Sequence, residues 1–134
     1  AGTDGRSKVD QSGRRQIATV NQLAGSNGME SEIKQRGISQ SAIVTQSGTN
    51  TSDDTNSSID QDGLGQRAVV NQTGDSESII FQRNQNNEAE VIQTGEGNFS
   101  GIRQTGRNGD VEASQENAAE FGADEFADAG VTQT

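Results

Sequence analysis

Cysteine, histidine, proline, tryptophan and tyrosine are all missing from this sequence. Without Cys or His the usual donors of a structural zinc site are gone, and so are the Ser-His-Asp triad and the cysteine nucleophile. Large apolar residues are scarce as well: Leu, Ile, Val and Phe make up 23 of the 134 residues, against a formal net charge of −10. That combination ordinarily marks a disordered chain. No apolar run approaches the ~20 residues a membrane-spanning helix needs, and an acidic chain repels the phosphates of nucleic acid. No signal-peptide pattern opens the chain, so a secreted protein is expected here in mature form. What the sequence does have is amide: Asn and Gln together number 26.

The amides are not scattered. Gln recurs at Gln11, Gln22, Gln35, Gln46, Gln61, Gln72, Gln82, Gln93, Gln104, Gln115 and Gln133, and the first ten are spaced 11, 13, 11, 15, 11, 10, 11, 11 and 11 apart. Two residues before them stand Val9, Val20, Ile33, Val44, Ile59, Val70, Ile80, Val91, Ile102, Ala113 and Val131. Four before, Ser7, Ala18, Ser31, Ala42, Ser57, Ala68, Ser78, Ala89 and Ser100 alternate strictly, followed by Val111 and Ala129. Six before, the residue is mostly polar, as at Gln16, Gln40, Thr55, Gln66, Ser76, Asn87 and Asn98. A period of two over seven residues is a strand with one face selected.

The Ser/Ala alternation doubles the unit to about 22 residues: a Ser/Ile-type strand, a turn, then an Ala/Val-type strand. The inner turns are constant at four residues, with Gly13, Gly37, Gly63, Asn84 and Gly106 in second place, the residue types that best tolerate positive φ. Connections between units vary in length, as insertions at one edge of a stack would. The predicted fold is therefore all-β: a β-solenoid of strand–turn–strand coils with two facing parallel sheets. A tail is expected over 1–4, five repeats over 5–22, 29–46, 55–72, 76–93 and 98–115, and a degenerate sixth coil or a cap over 116–134. Because 127–133 carries the Ala/Val-type pattern, 116–126 is expected to take the sixth Ser/Ile-type place, with Phe121 and Phe126 covering the stack end.

Stacking explains the amide. A buried Gln without partners costs a few kcal/mol, whereas identical residues ~4.8 Å apart can donate to one neighbour and accept from the other. The outward residues agree with this register at one end. Arg6, Lys8 and Asp10 fall beside Glu30, Glu32 and Lys34, and Lys34 beside Asp60. At the other end they do not: Glu88 and Glu90 fall beside Asp110 and Glu112.

Two segments, DGLGQRAVVNQ from Asp62 to Gln72 and NEAEVIQ from Asn87 to Gln93, lie close to the half-repeat Gln-x-Gly-x-Gly-Asn-x-Ala-x3-Gln. In this the chain resembles the curlin family, the subunits of curli fibres. The resemblance implies a cross-β amyloid fibre on the bacterial cell surface, extracellular, that supports biofilm, adhesion and aggregation. It also implies self-association as a homopolymer and a curli-type secretion and nucleation machinery as partner. No enzyme activity and no cofactor or metal is expected, since carboxylate pairs such as Glu30/Glu32 or Asp53/Asp54 read as solvated faces. The alternative is a monomeric β-solenoid adhesin or ligand-binding module. An ice-binding variant of it would need a regular outward row, and the column Thr19, Ile43, Val69, Glu90, Glu112 is irregular. The net charge predicts that assembly is opposed by self-repulsion and accelerated by salt, unless a basic Arg6/Lys8 end meets an acidic C-terminal coil.

Overall fold

The computed structural model describes residues 5–23, 28–48, 55–95, 97–116 and 127–133. Among them the chain forms eleven strands and no helix: β1 (Arg6–Arg14), β2 (Ile17–Gln22), β3 (Glu30–Ile38), β4 (Ser41–Ser47), β5 (Asn56–Leu64), β6 (Arg67–Thr73), β7 (Ser76–Gln85), β8 (Glu88–Thr94), β9 (Asn98–Gln104), β10 (Asp110–Glu116) and β11 (Ala127–Gln133). Odd and even strands separate into two sheets, ordered β1-β3-β5-β7-β9-β11 and β10-β8-β6-β4-β2. Every pairing between strands is parallel. The fold is a two-sheet β-solenoid.

Register follows the amide column without a slip. Gln11 pairs with Gln35, Gln35 with Gln61, Gln61 with Gln82 and Gln82 with Gln104 in the first sheet. Gln22, Gln46, Gln72, Gln93 and Gln115 align likewise in the second. Because side chains alternate faces, a slip by one residue would turn every inward residue out, so the apolar columns fix the register strongly. Those columns form the core: Ile33, Ile59, Ile80 and Ile102 from the first sheet pack with Ala42, Val44, Ala68, Val70, Ala89, Val91, Val111 and Ala113 from the second. Val9, expected in the core, is 45 % exposed, because β1 is the outermost strand of its sheet. Val20 on β2 is only partly buried.

The inner turns differ from expectation. The strands run on through the recurring Gly, so that β1, β3 and β5 each include it and only two residues separate β1 from β2, β3 from β4 and β5 from β6. At Gly13, Gly37 and Gly63 the backbone φ is 139°, 130° and 136°, while Asn84 in the same column has φ 80°. These glycines are also crowded: a Cβ on Gly37 would sit 2.0 Å from the Gly63 carbonyl oxygen. The reversal itself falls two places later, where Arg15, Ser39, Gly65, Asn86 and Asn108 all adopt φ between 53° and 65°. At Gly106 the sheet stops early, β9 ending at Gln104 with one isolated bridge, Gln85 to Arg107, beyond it.

The C-terminal end also departs from the sequence reading. Residues 127–133 do not take the Ala/Val-type place in the second sheet. They form β11, paired with β9 in the Ser/Ile-type sheet with Ala129 beside Ser100, Val131 beside Ile102 and Gln133 beside Gln104. The strand expected over 116–126, with Phe121 and Phe126, lies outside the described residues except for Glu116, which ends β10.

Candidate functional site

The feature that distinguishes this fold from an ordinary sheet sandwich is the pair of amide rows inside it. In the first sheet, Gln11 Nε2 donates to Gln35 Oε1 at 2.7 Å, Gln35 to Gln61 at 2.9 Å, Gln61 to Gln82 at 2.9 Å and Gln82 to Gln104 at 2.8 Å. In the second, Gln22 donates to Gln46, Gln46 to Gln72, Gln72 to Gln93 and Gln93 to Gln115 over 2.8–3.2 Å. Gln35, Gln46, Gln61 and Gln82 are fully buried. From Gln22 to Gln115 each ladder amide also donates an N–H to the other sheet. Gln35 reaches the Ile17 carbonyl, Gln61 that of Ser41 and Gln82 that of Arg67, while Gln46 and Gln72 reach the carbonyls of Glu30 and Asn56.

These cross-sheet bonds do two things. They tie the end of each strand to the start of its partner strand in the facing sheet, and they fix which amide atom is nitrogen, since a carbonyl can only accept. Every ladder bond then runs in one direction, donating toward the C-terminal end. Among the described residues, the Oε1 atoms of Gln11 and Gln22 accept from no ladder amide, because β1 and β2 are the outermost strands on that side.

The sequence reading missed a third row. Gln16 Nε2 donates to Gln40 Oε1 at 3.0 Å and Gln40 to Gln66 at 3.1 Å, with Gln40 and Gln66 also bonded to the carbonyls of Arg36 and Asp62 in their own turns. Asn87 continues it with shorter reach, bonding the Arg83 and Gly106 carbonyls. The polar column six before each second-strand Gln was the visible signal. It serves the turn, where backbone carbonyls would otherwise be buried without partners.

The serine column shows why the ladder residue is Gln. Ser31, Ser57, Ser78 and Ser100 are buried, and their hydroxyls have no hydrogen-bond partner among the described residues. An amide offers donor and acceptor at once and, being longer, both joins its copy on the next rung and reaches a carbonyl of the facing sheet, which these buried hydroxyls do not.

On the outer face, Lys8 and Lys34 both bind the Glu32 carboxylate, at 2.9 and 3.1 Å. These contacts hold the Glu32 carboxyl below the ordinary carboxylate range, chiefly through the hydrogen bond from Lys8, and that same bond raises Lys8. Asp60 lies beside Lys34 in register as expected, but its carboxylate is engaged by Arg36 at 3.3 Å. Arg67 pairs with Glu88. The like-charged neighbours read from the sequence are in register: Glu88 lies beside Asp110 and Glu90 beside Glu112. Among the described residues no group of three or more acidic or other metal-ligating side chains is placed to hold a metal ion, and no helix is long and apolar enough to cross a membrane.

Compared with known families, residues 85–116 match the curlin associated repeat. The match runs from the last residue of β7 through β10 and includes the Asn87–Gln93 segment, which supports the curlin resemblance. No curated protein and no solved structure matches the chain.

Proposed function

We propose that this chain is the structural subunit of an extracellular curli-type fibre and polymerises by stacking its solenoid end to end. The observation that carries the reading is the open first rung. Among the described residues β1 and β2 have a parallel neighbour on one side only, and there the Oε1 atoms of Gln11 and Gln22 accept from no ladder amide. Such an edge is a template for a further strand of the same register. A second copy supplies the same Gln, apolar and Gly columns at the same spacing, so the stack continues by the chemistry that holds the subunit.

The curlin repeat at 85–116 supports a self-assembling subunit and a cell-surface location. Biofilm matrix, adhesion and aggregation are the roles such a fibre would fill, with a curli-type secretion and nucleation machinery as partner. The structural solenoid points away from enzyme activity. Ladder residues Gln35, Gln46, Gln61, Gln72, Gln82 and Gln93 are proposed as the assembly determinants, together with the turn glycines. Purified protein incubated at neutral pH and viewed by electron microscopy is expected to form unbranched fibres with a 4.7–4.8 Å meridional reflection. A stable monomer after prolonged incubation with seeds would reject the fibre and favour the monomeric adhesin.

A further inference from the structure

Among the described residues eleven strands are shared between two sheets, which leaves the ends unequal. On the N-terminal side β1 and β2 end their sheets, and on the C-terminal side β11 stands one rung beyond β10. Copies stacked without rotation would put β1 on β11 and leave β2 two rungs above β10. No described strand would then fill the rung between them in the second sheet, leaving the backbone groups of β2 and β10 that face it without a strand partner among the described residues. Resting on the fibre reading above, we propose that consecutive copies are related by a half turn about the stacking axis, so that β1 of one copy pairs with β10 of the previous copy and β2 with β11.

Strand direction allows this. Gln22 at the end of β2 bonds the carbonyl of Arg6 at the start of β1, so the two sheets run in opposite directions. A half turn exchanges the sheets and reverses each strand, and β1 then runs parallel to β10. Both sheets continue with no vacancy, each gaining eleven strands for every two copies.

The residues of the two ends agree with the exchange. With the amide columns aligned, Gln11 falls beside Gln115 and Gln22 beside Gln133. Ala18 and Val20 of β2 fall beside Ala129 and Val131 of β11, which accounts for an Ala/Val-type strand standing at the edge of the Ser/Ile-type sheet. Ser7 and Val9 meet Val111 and Ala113, one small and one branched residue on each side. On the outer face Arg6 falls beside Asp110 and Lys8 beside Glu112. These are the carboxylates that lie next to Glu88 and Glu90 within the chain. A like-charged column that opposes the internal register thus becomes the acceptor for the two cations of the next copy. Displacing β11 so that β1 pairs with β9 restores neither match: Ile17 and Thr19 would then lie beside Asp110 and Glu112, and Lys8 beside Gly101.

Helical reconstruction of fibres grown from this chain tests the geometry. The expected rise is about 26 Å per subunit, five and a half rungs of ~4.8 Å, with a rotation near 180° modified by sheet twist. A rotation near zero, or a rise of about 24 or 29 Å, overturns the half turn while leaving the fibre reading intact. No fibre at all rejects that reading and this one with it. Charge reversal tests the pairing separately, on wild-type-sized seeds of each variant. Arg6→Glu should slow elongation about threefold, the scale of one exposed ion pair turned repulsive. Adding Asp110→Arg in the same chain should restore the rate and Asp128→Arg should not. Rescue by Asp128→Arg would instead place β1 on β11, and rescue by neither would overturn the joint.

Discussion

Replacing Gln61 by Ala removes one rung of a buried ladder at its centre. Gln61 is fully buried, accepts from Gln35 at 2.9 Å, and donates to Gln82 at 2.9 Å and to the Ser41 carbonyl at 3.2 Å. The substitution leaves the Gln82 oxygen without its ladder donor and the Gln35 nitrogen with its Ile17 carbonyl alone. A net ~1 kcal/mol for each of three lost bonds, with no water able to replace them, gives about 3 kcal/mol, and the space left by the shorter side chain adds to it. Thr45→Ala on the outer face of β4 should cost under about 0.5 kcal/mol. With a urea m-value of ~2 kcal/mol/M, the first change lowers the denaturation midpoint by about 1.5 M and the second by about 0.25 M or less. Urea-induced loss of β-sheet signal, followed on assembled material at fixed protein concentration, reads the difference. Equal midpoints for the two variants would refute the ladder as the source of stability.

Other perturbations separate the remaining parts of the account. Gly37→Ala, at φ 130° and facing the Gly63 carbonyl, should cost at least ~3 kcal/mol, while Gly101→Ala, whose Cβ makes an ordinary 3.6 Å contact with Phe99, should be neutral or slightly stabilising in the same urea assay. Gln61→Glu should be tolerated in acid and fail progressively as pH rises above ~4.3, because the buried carboxyl can donate to Gln82 only when protonated; a pH-independent midpoint would count against burial at that site. Glu32 has its folded pKa depressed, so its contribution is present above the ordinary value of 4.5 and fades as pH falls through the lowered one; carboxyl NMR should show that titration move back up in Lys8→Ala. Seeded elongation should still accelerate when NaCl rises from low ionic strength to ~0.15 M, since the net charge of −10 stacked along one axis outweighs the two exposed ion pairs of the joint, each worth under about 1 kcal/mol, and a rate that falls with salt would put those pairs in control.

Much of this molecule is legible in the sequence because its order is one-dimensional. A period of two selects the inward face, and recurrence at about eleven residues stacks like on like, so Gln35, Ile33 and Ser31 could be placed without any knowledge of tertiary contacts. The parts that were not legible share a cause: they depend on backbone geometry that side-chain columns do not encode. Arg15, Ser39, Gly65, Asn86 and Asn108 span four residue types, yet all take the left-handed conformation that reverses the chain. The Gln16, Gln40 and Gln66 row was visible as a polar column, but its purpose is to satisfy turn carbonyls, which become apparent only once the turn shrinks to two residues. The placement of β11 failed for another reason. Its pattern names a strand type, and strand type does not decide which sheet a terminal strand joins.

The central claim is that successive coils are joined inside by amide-to-amide bonds in parallel register. The most direct test is magic-angle-spinning NMR on assembled protein with glutamine side chains labelled, correlating each Nε2 with the Cδ of the next ladder residue. The structure predicts a contact from Gln35 Nε2 to Gln61 Cδ and from Gln61 Nε2 to Gln82 Cδ, following bonds of 2.9 Å, together with slow exchange of those amide protons with water. Glutamine side chains that correlate with water and not with one another would contradict it.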